Sequence, residues 1–467
     1  MPPSLALLVW FILLVALWRY DRDPKTSSAL WAPLIWMFIL GSQLPSQWLG
    51  SQGRQLTESL EEGNPFDRII FSVLILIAIG ILMSRSFNWG EFATRNLALM
   101  AFLSFALVSV LWSDYPFVAF KRWFRDLGSY LMILVALSDP RPLEAVRTLL
   151  RRLCFLLIPL SVLLIKYYPG MSRRYDPWSG MAHFTGATTS KNMLGVLCLV
   201  SGIFFFWDTL RLWSNRREPR TRQILLVNVA FIAMTLWLLR MSASATASLG
   251  LALGCVVIAA AHSKTAKQHP ALLKMLIPAG ISLYLILAFG FRIDLMAALA
   301  EVVGRNPTLT GRTDIWDVLL SMDINPLVGT GYESFWLGPR LQLVWDAARV
   351  GTINEAHNGF LEVYLNLGVI GLLLLGGFLI ASYRTICRRL GTLSSFGSLN
   401  LGFWVAFLFH NMTEASFRNG LMLFTFLLVA VSFPAPAGNR ELVAAVDNGD
   451  PTEGFSGFPL ETTDGLQ

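Results

Sequence analysis

The sequence predicts an all-α, polytopic integral membrane protein, and three observations carry that prediction. Hydrophobic residues make up 54% of the 467-residue chain and charged ones only 14%, too little polar surface to cover a water-soluble globule of this size. Mean hydropathy is +0.55. Apolar runs long enough to cross a bilayer recur along the chain, broken by one long polar interruption from Arg292 to Asn358.

Taken in order, candidate spans fall near residues 4–19, 29–49, 69–84, 94–112, 127–137, 149–166, 191–207, 224–240, 246–262, 271–291, 360–382, 399–411 and 419–433, about 12 transmembrane helices in all. The first run lacks a basic leader and ends in Arg19, Tyr20 and Asp21, so it is expected to be a retained span. The run at 127–137 is short for a hydrocarbon core of about 30 Å. Ahead of it, Tyr115 to Asp126 interleaves Phe117, Phe120, Trp123 and Phe124 with Lys121, Arg122 and Arg125, the pattern of a helix lying in the headgroup layer. The expected organisation is a helix bundle over 1–291, a large loop with short helices over 292–358, C-terminal spans over 359–433 and a disordered acidic tail over 434–467.

Charge orients the loop. With it outside, roughly 21 of the 37 Lys and Arg fall in cytoplasmic links, led by Arg211, Arg216, Arg217, Arg220 and Arg222. Omitting 127–137 as a span leaves that tally unchanged, so the N-terminus is not oriented. The tail contributes about −5 to the +7 total, which leaves the membrane body near +12 and suited to anionic lipid or a phosphate-bearing substrate. Cys154, Cys198 and Cys255 lie in spans and Cys387 on the cytoplasmic side, so no disulfide is expected in the loop.

A loop this long is functional or disordered, and Trp316, Tyr332, Phe335, Trp336 and Trp345 argue that it folds. Thr310 to Leu320 reads as a short amphipathic helix capped by Thr310. Asp314 and Asp317 sit near its positive end as dipole-favoured, solvated acids, and no metal is expected there. Arg312 is a cation in the first turn, where the dipole is unfavourable, so its position asks for an anion. That anion is either phosphate, held in a bidentate fork, or a neighbour such as Asp314 or Glu301. Gly329 and Gly331 fit an anion-binding nest or a plain turn. Thr352 and Glu355 fit a capping box that would start a helix near Ile353 and bring His357 to the membrane surface. His357, the one histidine of the loop, is matched to proton transfer near neutral pH. At other predicted outer ends, Lys191 and Asn192 begin a helix behind a possible Ser190 cap, and Ser242 to Ser248 is a small-residue run suited to close packing.

These residues carry a resemblance. Gly311-Arg312 with Trp316, Pro326 with Gly329 and Gly331, His357-Asn358-Gly359, Gly368-Val369-Ile370-Gly371, Leu111-Trp112-Ser113 and Lys191-Asn192 stand in the order of the O-antigen ligase and polymerase superfamily, and the chain resembles its succinoglycan-type exopolysaccharide polymerization proteins. The resemblance implies a GT-C-like fold in the bacterial inner membrane with a periplasmic loop. It also implies a metal-independent, inverting glycosyltransferase without cofactor, using undecaprenyl-diphosphate-linked glycans. His357 and Arg312 are then the expected catalytic residues, base and charge stabiliser. Lys191, Asn192, Arg305, Arg340, Tyr332 and Asn358 are expected to bind substrate. Ligases commonly carry arginine where this chain has Ala243, which favours polymerase over ligase. The bilayer and polysaccharide export and chain-length machinery are the expected partners, and no nucleic acid is. The competing class is a polysaccharide transporter or non-enzymatic assembly subunit, but transporters place ionisable groups near the membrane midplane, where few occur here.

Overall fold

Proline fixes the φ of a first helical turn without wasting a hydrogen bond, and Pro3, Pro65, Pro116, Pro142 and Pro219 each open a helix. The computed structural model describes residues 1–21, 26–50, 63–85, 87–175, 182–285, 312–348, 353–392, 394–418 and 420–432. Its principal helices are α1 Pro3–Tyr20, α2 Trp31–Gly41, α3 Pro65–Ser84, α4 Leu97–Val108, α5 Pro116–Leu137, α6 Pro142–Tyr167, α7 Lys191–Leu212, α8 Pro219–Ser242, α9 Ala245–His262, α10 Pro270–Leu285, α11 Arg312–Ser321, α12 Gly338–Ala348, α13 Gly359–Thr392, α14 Ser394–Asn411 and α15 Leu421–Ala430. A hairpin of β1 Arg173–Tyr175 and β2 Ala182–Phe184 pairs Arg173 with Phe184.

Each candidate span overlaps a helix within the described residues. Among the described residues seven helices are long and apolar enough to cross a membrane, or eight if Trp89–Arg95 and Leu97–Trp112, bent by 98°, form one span. α2 and α15 are apolar but short. The headgroup-layer helix and the run at 127–137 are one element, α5, whose Asp126, Gly128 and Ser129 are buried. Trp36 of α2 fills the space beside Gly128 and donates to Ser129 Oγ at 2.9 Å, so the second half of α5 packs inward against α2, while Phe117, Phe120 and Phe124 in its first half stay exposed.

The centre of the bundle is α7, flanked by α6, α8, α9 and α14. Lipid offers no hydrophobic driving force between helices, so close contact through small residues holds them. A Cβ on Gly195 would lie 2.7 Å from Ser244 and 2.9 Å from Ala247, which shows how closely α7 meets the Ser242 to Ser248 run. At the opposite end from Lys191, Asp21 pairs with Arg151 and Arg152, and Asp208 with Arg211, while Asn228 donates to Asp208, tying α1, α6, α7 and α8.

The described part of the long loop folds as a lobe. Ile315, Leu319, Phe335, Trp336, Leu341, Val344, Ile353 and Ala356 form a core separate from that of the bundle. Burial of side chains such as Phe335 or Leu341 contributes on the order of 2 kcal/mol each where the alternative is water. The lobe grips the bundle at a break in α13, where Gly368 has φ 63. There Val369 and Ile370 donate to the carbonyls of Pro326 and Leu327, and Thr330 and Gly331 donate to those of Leu365 and Asn366. A Cβ on Gly368 would sit 2.3 Å from the Leu327 backbone, and one on Gly329 2.5 Å from Asn366, so neither close approach tolerates a side chain. The nest expectation is corrected accordingly: Gly329 N–H bonds to Asn325 and Gly331 N–H to Asn366, so both are spent on protein acceptors. The tail from 434 lies outside the described residues.

Candidate active site

His357 stands on a clamped loop. The helix expected from Ile353 begins at Gly359, and Asn358 Oδ1 caps it by accepting from Phe360 and Leu361 N–H, so Glu355 is not the cap; Thr352 lies outside the described residues. Residues 353–358 are instead fixed by side chains from elsewhere. Trp345 Nε1 donates to the Ile353 carbonyl at 2.7 Å and Trp316 Nε1 to that of Ala356 at 2.8 Å. Ala356 N–H donates to Glu362 Oε2 at 2.9 Å, while Glu362 Oε1 accepts from Trp336. Held this way, His357 adopts φ 48, a left-handed conformation that costs a non-glycine residue on the order of 1 kcal/mol or more.

That turn brings Glu355 back onto the imidazole, although residues two apart on a helix would diverge. His357 Nδ1 lies 3.1 Å from Glu355 Oε1 and 3.3 Å from Glu414 Oε2. Glu414 is 6% exposed and also accepts from Asn192 Nδ2 at 3.1 Å. Burial pulls the imidazole pKa down, but the hydrogen bonds and charges of both glutamates outweigh it and raise the pKa to about 9. The imidazole therefore rests protonated at neutral pH. With Nδ1 engaged by carboxylates, Nε2 has no partner among the described residues. The three donor atoms lie within 4.8 Å of one another, close enough for one cation.

Asn192 meets this cluster because Ser190 caps α7 by accepting from Met193 N–H, which sets Lys191 and Asn192 in its first turn. Thr246 joins from α9, its hydroxyl 2.8 Å from that of Thr413. Ser244 caps α9, and the preceding Ala243 has φ 50.

Other expected residues fall differently. Arg312 is the first residue of α11, one turn before the Trp316 that binds the Ala356 carbonyl; its side chain lies outside the described parts, as do Thr310 and Arg305. Tyr332 donates its hydroxyl to Asp126 at 2.9 Å, and Arg340 pairs with Asp114 at 2.7 Å over the ring of Phe335. Both thus contact protein groups of α5 and the segment before it, where the folded lobe meets them. Asn358 serves the cap and donates to the Met412 carbonyl at 3.4 Å.

The residues missed by sequence reasoning are Glu414, Glu362, Glu333 and Arg418. A signal for two of them existed: the polar link from Met412 to Arg418 joins adjacent apolar helices and falls on the side of the long loop by simple alternation of spans.

Residues 229–376, from α8 through the lobe to the break in α13, match the family model described as O-antigen ligase. Exopolysaccharide production protein ExoQ of Rhizobium meliloti (strain 1021) is 28% identical over 320 residues, covering 64% of this chain and 67% of that protein.

Proposed function

From the premise that the chain is related to the O-antigen ligase and polymerase family, we propose that it is a membrane glycosyltransferase of exopolysaccharide or O-antigen assembly that polymerises polyprenyl-diphosphate-linked oligosaccharides at the periplasmic face of the inner membrane. The observation that carries this reading is the convergence of His357, Glu355, Glu414 and Asn192 beside the first turn of α7. It provides a proton carrier whose Nδ1 is held by carboxylates and whose Nε2 has no partner among the described residues.

In the reaction, an acceptor hydroxyl attacks the anomeric carbon of the donor, its proton passes to Nε2 of the neutral fraction of His357, and the diphosphate departs with the electrons of the broken glycosidic bond. Attack opposite the leaving group inverts the anomeric centre. Glu355 and Glu414 stabilise the imidazolium that forms. Arg312 and Lys191, both in first helical turns, supply positive charge for the departing diphosphate, where helix dipoles already favour an anion. No metal or other cofactor is required in this scheme. The similarity to an exopolysaccharide production protein supports a role in exopolysaccharide assembly, Ala243 supports polymerase over ligase, and chain-length and export proteins are the natural partners of such an enzyme.

The test is incubation of purified protein with a polyprenyl-diphosphate oligosaccharide, with and without a chelator. A product ladder unaffected by chelation is expected from the wild type, and none from His357→Ala or Arg312→Ala. Glycan moved onto a second lipid would identify a ligase. Clear inhibition by the chelator would assign the Glu355, His357 and Glu414 cluster to a cation instead.

A further inference from the structure

One guanidinium joins the two strained residues of the outer lobe. Arg418, in the link between α14 and α15, places Nη2 3.0 Å and Nε 3.2 Å from Glu333 Oε2 and donates through Nη1 to the Asn354 carbonyl at 2.8 Å. Asn354 lies three residues before His357. Glu333, 8% exposed, has φ 49, and its own carbonyl accepts from Arg122 of α5. Left-handed conformations at non-glycine residues persist only where the surroundings over-determine them. Here Arg418 supplies the shared constraint for Glu333 and for the segment leading to His357 at φ 48.

We propose that Arg418 and Glu333 are positioning residues for His357: the pair sets the 353–358 backbone against the lobe and, through Arg122, against α5. A direct role for Arg418 in holding diphosphate is disfavoured by its geometry, because Nε, Nη1 and Nη2 each already face a protein acceptor. Its charge state suits the task. Burial opposes ionisation of Arg418, but Glu333, Glu362 and Glu355 together outweigh it and hold the guanidinium charged; burial likewise opposes the Glu333 carboxylate, and Arg418, Arg122 and Arg125 together keep its carboxyl below its usual range.

This inference rests on His357 as the proton carrier, and the experiment separates the two. Purified full-length variants are assayed for kcat and for KM toward a polyprenyl-diphosphate oligosaccharide, each checked for wild-type elution in detergent. Arg418→Lys keeps the charge but cannot span both acceptors, and its kcat should fall on the order of 10²-fold with KM little changed, the signature of a misplaced catalytic group. Glu333→Gln, which still accepts hydrogen bonds, should retain more kcat than Glu333→Ala. A KM raised about tenfold at unchanged kcat in Arg418→Lys would make Arg418 a donor contact and overturn the proposal, as would wild-type kcat in Arg418→Lys and Glu333→Ala. Full activity of His357→Ala in the same assay would instead remove the underlying reading.

Discussion

At the scale of single residues, the site turns on how two carboxylates treat one imidazole. His357 has its pKa raised to about 9, because burial, which lowers it, is outweighed by Glu355 and Glu414. A base must be neutral to accept a proton, so kcat/KM should climb with pH and level off near 9. Glu414→Gln removes one stabilising charge and should move that limb to lower pH; an unmoved limb would exclude Glu414 from the proton's path. The stability linkage has a definite sign. A pKa raised in the folded state gives stabilisation that is full below the unfolded value of about 6.5 and is lost as pH rises toward 9. His357 and Asn192 were legible in the sequence because each sits beside a span end with a recognisable neighbour. For Glu414 the sequence offered only its place in a polar link between spans, since its meaning lies in contacts 57 and 222 residues away.

At the scale of elements, the break in α13 decides where the lobe sits. Gly329 and Gly368 have φ 66 and 63 and face each other's backbones across the junction, so the chain can interlock there only without side chains. Gly368→Ala and Gly329→Ala should each cost more than about 1 kcal/mol and lower activity, read as earlier thermal unfolding in detergent. Gly376→Ala, in the same helix with nothing within 4 Å of its Cβ position, is the matched control and should be near neutral. Gly329 and Gly331 were visible in the sequence and fitted an anion nest or a plain turn. The Gly329 N–H bonds back to Asn325 within its own turn and the Gly331 N–H to Asn366 of the broken helix.

At the scale of the whole molecule, the reading requires the lobe outside and the arginine-rich link after α7 inside. A membrane-impermeant thiol reagent should label Leu343→Cys, on the exposed face of the lobe, in intact cells, and Ser214→Cys only after permeabilisation. The reverse pattern would place the imidazole on the wrong side of the bilayer for a periplasmic substrate. The sequence by itself determined the mostly helical, multi-pass membrane character, because hydropathy and helix signals are properties of consecutive residues. Only the tertiary structure decided that the second half of α5 packs inward, that Tyr332 meets Asp126 and Arg340 meets Asp114, and that Glu414 meets His357 while Arg418 bridges Glu333 and Asn354. Those outcomes depend on close approach between segments far apart in the chain, where a buried charge or a strained backbone is stable only if a distant partner meets it.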